Sequence, residues 1–425
     1  ASSPAAHADA AAAAAARDTA QRAIAVRTSW KAIVILVVAS FLAGGVLVVA
    51  RLRTLGMLVI YFGAQSGFNL YMKVVLSSAM ISEELDMEGF PAAFLLTGLQ
   101  QVVSFFACGA ALLVVLLPQL RCYSPQTLTS RRAWTAVVAF AVAFAANHGF
   151  NNFSLALLPV SLNLIIRSCI PLMTVFLHSV LRASGVSGYG SSAPKTTALQ
   201  LALMLAGVLF AALATLSEAE GAAAPHEARP SSQRHLMLGT FVGVLSIFFA
   251  AVNLLCAAEL GTSLGVRPLE ATFYSALPSA ASLLVPTFTV MHPSWPGAGP
   301  MTDWQVFRKV MHLSPQTMGL VVLSGIMSVL YSFLQYWLVK NLSPTYTAFA
   351  GNFNKAICIG ISIWIGLESL PVGAWRVVMV ASIFGNAGAF MGYGLAQAGR
   401  QDADAGPAKA GGADPKAAKA DVGGA

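Results

Sequence analysis

Residues 152–180 read NFSLALLPVSLNLIIRSCIPLMTVFLHSV, and past Pro159 the mainly apolar run holds one cation, Arg167, one histidine, His178, and no acid. About twenty apolar residues cross a hydrocarbon core, because a helix rises about 1.5 Å per residue and the core is about 30 Å thick. The stretch 159–182 is long enough to do so. A cation at the centre of such a helix costs about 2.5–3.5 kcal/mol on insertion scales, so Arg167 needs a reason to be there. The run therefore predicts both a membrane span and a buried working charge.

The same pattern recurs outward in both directions. Further apolar segments lie near 32–50, 55–79, 91–117, 133–155, 196–216, 236–258, 268–291, 317–340, 344–366 and 372–395. Each is expected to be helical, since in lipid every backbone polar group must be satisfied internally. The chain as a whole is 57% apolar and 10% charged, with a mean hydropathy of +0.71. A soluble domain carries about 25% charged residues, so a water-soluble enzyme is excluded and an all-α polytopic membrane protein is expected. Cys108, Cys122, Cys169, Cys256 and Cys358 are scattered, which argues against a zinc site or a disulfide framework. Neither a paired-aspartate nor a histidine metal motif is present, so no catalytic residue, metal or cofactor is expected.

Residues 1–31, alanine-rich with Arg17, Arg22, Arg27 and Lys31, and residues 398–425 read as disordered tails. The segment 32–50 reads as an extra membrane anchor or a signal segment, leaving 55–395 as the transporter domain. Arg51 and Arg53, then Arg121, Arg131 and Arg132, then Arg182 and Lys195 fall on alternate loops. Cationic loops stay cytosolic, which puts the acidic loop Ser82 to Gly89 on the far side. Arg308 and Lys309 fall on that far side too, against the rule.

Asn152-Phe-Ser-Leu-Ala-Leu-Leu-Pro-Val-Ser161 leads into the helix of Arg167, and Lys340-Asn-Leu-Ser-Pro-Thr345 into that of Lys355. Both are a helix end, a Pro/Ser turn and a helix with one cation. Counted without the anchor they are the fourth and ninth helices, as a five-plus-five inverted repeat would place them, with the site between the halves. Lys73, Arg167 and Lys355 lie within apolar segments, with His148 and His178 nearby, and no Asp or Glu lies comparably deep. Lys73 stands near a helix end, where snorkelling to the headgroups serves. Arg167 and Lys355 lie too deep for that, so their countercharge is expected to arrive as an anionic ligand, for which a guanidinium fork and an ammonium are suited. Without a buried acid there is no proton or sodium relay, which favours exchange of one anion for another. Asn163, Arg167 and Pro171 share a helix face, continued by Thr174, and Gly351, Asn352 and Lys355 share another. Asn352 and Asn354 are expected to hydrogen-bond a sugar or base.

These residues carry a resemblance. The chain resembles the nucleotide-sugar and triose-phosphate translocator branch of the drug/metabolite transporter superfamily over nearly all of residues 55–395. Tyr61-Phe-Gly-Ala-Gln-Ser-Gly-Phe-Asn-Leu-Tyr-Met-Lys73 is similar to that family's F-N-x-x-N-K opening. Asn152-Phe-Ser-Leu155, Val160-Ser161 and Ile166-Arg-Ser-Cys-Ile-Pro171 look like its N-x-S-L, V-S and I-K-S-x-x-P run. Gly351-Asn-Phe-Asn-Lys355 resembles both the G-N-x-x-K of phosphate translocators and the G-A-L-N-K of GDP-mannose carriers. The resemblance implies ten core helices, alternating-access antiport, and substrate phosphates bound by Arg167 and Lys355. It also implies pocket roles for His148 and Tyr331.

Two departures narrow the substrate. Phosphate translocators follow the ninth-helix lysine with arginine where this chain has Ala356, and GDP-mannose carriers have F-Y-N-N where it has Phe273-Tyr-Ser-Ala276. The expectation is an antiporter of a nucleotide sugar or sugar phosphate against a nucleoside monophosphate or phosphate, in the Golgi or endoplasmic reticulum membrane. The alternatives are an exporter of a neutral metabolite on the same fold and, for the compartment, a plastid envelope. Membrane lipid is the expected surrounding, and nucleic acid is not a partner.

Overall fold

The computed structural model describes residues 30–82, 85, 87–115, 127–184, 197–221, 230–295, 299–341, 344–365 and 370–404. The tails 1–29 and 405–425, Glu83, Glu84, Asp86, Arg121 and Lys195 lie outside them. The chain is a helical, multi-pass membrane protein. Its helices are α1 (Trp30–Val49), α2 (Arg53–Ser77), α3 (Ala93–Val115), α4 (Arg131–Leu157), α5 (Val160–Arg167), α6 (Ile170–Ala183), α7 (Ala198–Gly221), α8 (Pro230–Ala258), α9 (Pro268–Thr289), α10 (Asp303–Leu313), α11 (Thr317–Asn341), α12 (Pro344–Trp364) and α13 (Ala374–Asp404). A π-helical turn, Glu259–Ser263, extends α8. Among the described residues, seven helices are long and apolar enough to cross a membrane. The expected spans on α2, α9, α11 and α12 are not among these seven. Gln65, Lys73, Glu270, Asn354 and Lys355, carried by α2, α9 and α12, lower mean hydropathy, and the described apolar stretch of α11 ends at Ser332. Helix α13 continues to Asp404, past the expected start of the tail at 398.

Local chemistry sets the breaks. Ser130 caps α4 by accepting the Ala133 N–H at 3.1 Å. Pro159 biases the residue before it away from helix, and Leu158 is extended at φ −108°, ψ 155°. Pro230, Pro268 and Pro344 open α8, α9 and α12, where a missing N–H is harmless. The fourth core span is not one helix. It stops at Arg167, turns through Ser168 and Cys169, and resumes at Ile170. The shared face expected of Asn163, Arg167 and Pro171 is therefore interrupted.

Helix pairing is repetitive. Helix α7 packs along α13, α3 along α9, and α5 against α12. The pair α4–α8 has a counterpart in α2–α11, α4–α9 in α3–α11, and α6–α8 in α2–α12. At the first pair the fit is reciprocal: Phe390 fills the space over Gly207, and Phe210 fills that over Gly385. Helix α1 is mostly unburied and lies on α2, where Ser40 meets Gly63, Val37 meets Gly67, and Gly56 touches the backbone of Gly44. Lys73 does not reach for headgroups. Its ammonium donates to the carbonyls of Leu155 and Leu158 at 3.1 and 2.8 Å, capping the negative end of α4.

One end of the bundle carries a folded cap. Strands β1 (Met80–Ser82) and β2 (Met87–Glu88) form one hairpin, and β3 (Met291–His292) and β4 (Met301–Thr302) another, both antiparallel. Gly89, at φ +76°, closes the first hairpin so near the Leu76 carbonyl that no side chain fits. Trp295 Nε1–H donates to the carbonyls of Glu88 and Gly89 at 3.0 and 3.2 Å, tying the hairpins together. His292 Nε2 lies 2.6 Å from Asp303 Oδ1, with both side chains buried. Asp303 Oδ2 accepts the Leu95 N–H in the first turn of α3 at 2.8 Å.

Candidate substrate site

Arg167 ends α5 and Lys355 lies within α12, yet the Lys355 ammonium approaches the Arg167 backbone carbonyl to 3.4 Å. The reason lies four residues on. In an unbroken helix that carbonyl would accept the N–H of residue 171, and Pro171 has none. The negative end of α5 then faces an ammonium instead of the next turn. The Arg167 guanidinium points elsewhere, with Nη1 3.4 Å from Ser246 Oγ, whose hydroxyl bonds the Asn147 carbonyl at 2.9 Å. Arg167 lies near each of Lys355, His148 and Tyr331. The His148 ring stands 4.2 Å from that of Phe144. A Cβ built on Gly351 would meet nothing within 4 Å, so this glycine borders open space.

The other expected residues sit in interhelical bonds. Asn163 is buried and donates to Ser154 Oγ at 3.2 Å, which in turn donates to the Gly239 carbonyl of α8 at 2.9 Å. Asn354 is also buried; its amide donates to Gln65 Oε1 at 2.7 Å and accepts from Ser66 Oγ at 2.9 Å. Gln65 Nε2 lies 3.4 Å from the Tyr331 hydroxyl, and the Tyr331 ring stacks with Tyr61 and Phe68 at centroid distances of 5.9 and 6.0 Å. Asn354 and Tyr331 thus join α12 and α11 to α2. The side chain of Asn352 lies outside the described residues.

A small, partly polar crevice lies nearby. Gln101 and Ser104 on α3, Thr272 and Ser275 on α9, and Ser328 and Ser332 on α11 line it, against Phe140 and Phe144 of α4. Phe144 links it to His148 and so to the charged locus. None of these six polar residues was expected as site residues. Their signal was in the sequence all the same: three pairs of polar residues, each spaced by three or four, share a helix face. A wider concavity at Trp134, Thr135, Val138 and Ala139 opens on the outer face of α4.

No protein-family model matches the chain. A GDP-mannose transporter from Yarrowia lipolytica (strain CLIB 122 / E 150) is 26% identical over 193 residues, 44% of this chain and 55% of the relative. The chain thus spans about half the length of the curated relative it matches. A solved structure described only as a crystal structure of a protein covers 80% of this chain and 97% of its own at 13% identity, with a TM-score of 0.39. A likeness at that TM-score carries no argument.

Proposed function

We propose that the chain is an antiporter that exchanges a nucleotide sugar or sugar phosphate for a nucleoside monophosphate or phosphate by alternating access. One observation carries the reading: the Lys355 ammonium on α12 reaches the backbone carbonyl of Arg167 on α5, so two cation-bearing residues from different helices adjoin inside the bundle. Bringing like charges together in a low-dielectric interior is costly unless an anion joins them, and phosphate oxygens suit both groups. The likeness to a GDP-mannose transporter supports a nucleotide-sugar substrate, and with it a Golgi or endoplasmic reticulum membrane. The crevice hydroxyls offer neutral hydrogen bonds to the uncharged part of such a molecule, with Asn352 and Gly351 beside Lys355.

The architecture proposed for it is ten core helices, α2 to α13 with α5 and α6 as one span and α10 left out, in a five-plus-five inverted repeat. The pairings support this. Helices α7 and α13, α3 and α9, and α5 and α12 each stand five apart in that count, and α4–α8, α4–α9 and α6–α8 have counterparts in α2–α11, α3–α11 and α2–α12. The test is counterflow in liposomes with a panel of nucleotide sugars, sugar phosphates and neutral metabolites. Exchange of a phosphorylated solute supports the reading. Uptake of neutral solutes alone would leave the exporter alternative.

A further inference from the structure

We infer that in the substrate-free carrier Lys355 acts as a lock, resting on the carbonyl that Pro171 leaves open at Arg167, and that a bound anion releases it. The inference rests on the reading of Arg167 and Lys355 as the anion site. The contact, Lys355 Nζ to Arg167 O at 3.4 Å, joins α5 to α12. In the proposed repeat these helices belong to opposite halves, which must rock against each other for the site to change sides. A bond between them in the empty state opposes that motion.

The acceptor is held in place from behind. The Ser168 hydroxyl, in the turn after Arg167, lies 2.6 Å from Asn386 Oδ1 on α13. The Asn386 amide donates in turn to the Gly207 carbonyl on α7 at 2.8 Å. Ser168 is thus tied to α13 and, through Asn386, to α7 in its own half. An ammonium pulled off a carbonyl loses a charge-assisted bond. A phosphate oxygen offers a stronger acceptor and moves with the ligand. Rocking is then slow when the carrier is empty and fast when it is loaded, which is the kinetic definition of exchange. The lock uses the backbone of Arg167 and not its guanidinium, so binding and locking separate by mutation.

The experiment uses the full chain in liposomes loaded with labelled GMP or labelled inorganic phosphate. Efflux is measured into buffer with and without the same anion outside. In the wild type, external anion accelerates efflux. Pro171→Ala returns an N–H to the Arg167 carbonyl, and efflux into anion-free buffer rises about tenfold relative to exchange, the worth of one charge-assisted bond. Pro171→Ser restores the same donor and serves where alanine fails to fold. An exchange-to-efflux ratio equal to that of the wild type in both variants overturns the lock. Should the wild type move neither probe, the anion-exchange reading fails, and the lock is read separately from amide hydrogen exchange over residues 164–175 of the empty protein. Lys355→Met is expected to speed that exchange in the wild-type background and to add nothing in Pro171→Ala. Equal acceleration by Lys355→Met in both backgrounds overturns the lock.

Discussion

Lys355 and Asn354 are neighbours in sequence and opposites in what their replacement should do. Lys355→Ala removes a charge-assisted contact worth about 1.5–3 kcal/mol, hence a roughly ten- to hundredfold weaker affinity for a phosphorylated ligand. Lys355→Arg recovers only part, because a planar fork does not reproduce a point charge. Thermal stabilisation by GMP or phosphate, compared across wild type, Arg167→Ala and both Lys355 variants, measures this; equal stabilisation in all four removes the charges from the site. Asn354→Ala instead strips partners from half-buried Gln65 and buried Ser66, at about 1–3 kcal/mol for each group left unsatisfied away from water. Its melting temperature should fall while the stabilisation added by ligand stays as in the wild type. A normal melting temperature with lost stabilisation would place Asn354 against the ligand. The cations were legible because a charge in an apolar run is conspicuous. The role of an asparagine was not, since an amide costs the same to bury whether its partner is a sugar or another helix. The use of Pro171 needed Lys355, which no local spacing connects to it.

At the scale of elements, every long helix was legible and the cap was not. Strands of two or three residues carry too little periodicity to read, and α10 bears Arg308 and Lys309 on a chain searched for apolar runs. Its assembly depends on His292 and Asp303, which sequence cannot pair. Both ring nitrogens of His292 face acceptors, Asp303 Oδ1 at 2.6 Å and the Pro293 carbonyl at 3.0 Å, so the geometry favours the imidazolium. Burial alone would lower the His292 pKa, but the hydrogen bond and charge of Asp303, with the Pro293 carbonyl, outweigh it and hold it above 6.5. The sign follows from linkage. A folded-state pKa raised above the unfolded value stabilises fully below about pH 6.5 and ceases to do so as pH climbs through the raised value. His292→Gln should therefore lose most stability relative to wild type at low pH, and the gap should close as pH rises. Melting curves from pH 5 to 9 test this; a gap that widens with pH would mean His292 is buried neutral. Beside it, Gly63→Leu should force α1 off α2, because the space a side chain would need is filled by Ser40. A cysteine pair across that contact, crosslinking in wild type and not in Gly63→Leu, reads the separation.

Across the whole molecule, the cap decides how the bundle faces the membrane. The positive-inside expectation puts the loop carrying Glu83 and Glu84 on the far side, and Arg308 and Lys309 run against it there. The structure accounts for one of the two exceptions: the Lys309 ammonium stands over the Trp295 ring, 5.4 Å from its centroid, and Trp295 is bonded to the first hairpin. Lys309 is therefore part of a folded unit that includes the acidic loop, and the two loops must share a side whatever their charges. The opposite end has its own charged contact, Arg132 with Glu259 at 2.6 Å, joining the start of α4 to the π-helical turn after α8. Helices α4 and α9 run between these ends, α4 from Arg132 up to Phe153 beside His292, and α9 from Arg267 up to the second hairpin. An even count of spans between the two hairpins follows, as the ten-helix arrangement requires. Single cysteines at Leu85 and Arg308 should both react with an impermeant thiol reagent from one side of sealed vesicles. Cysteines at Arg131 and Arg267 should react only from the other. If Leu85 and Arg308 label from opposite sides, the Trp295 bridge cannot exist in the membrane, and the ten-helix count falls with it.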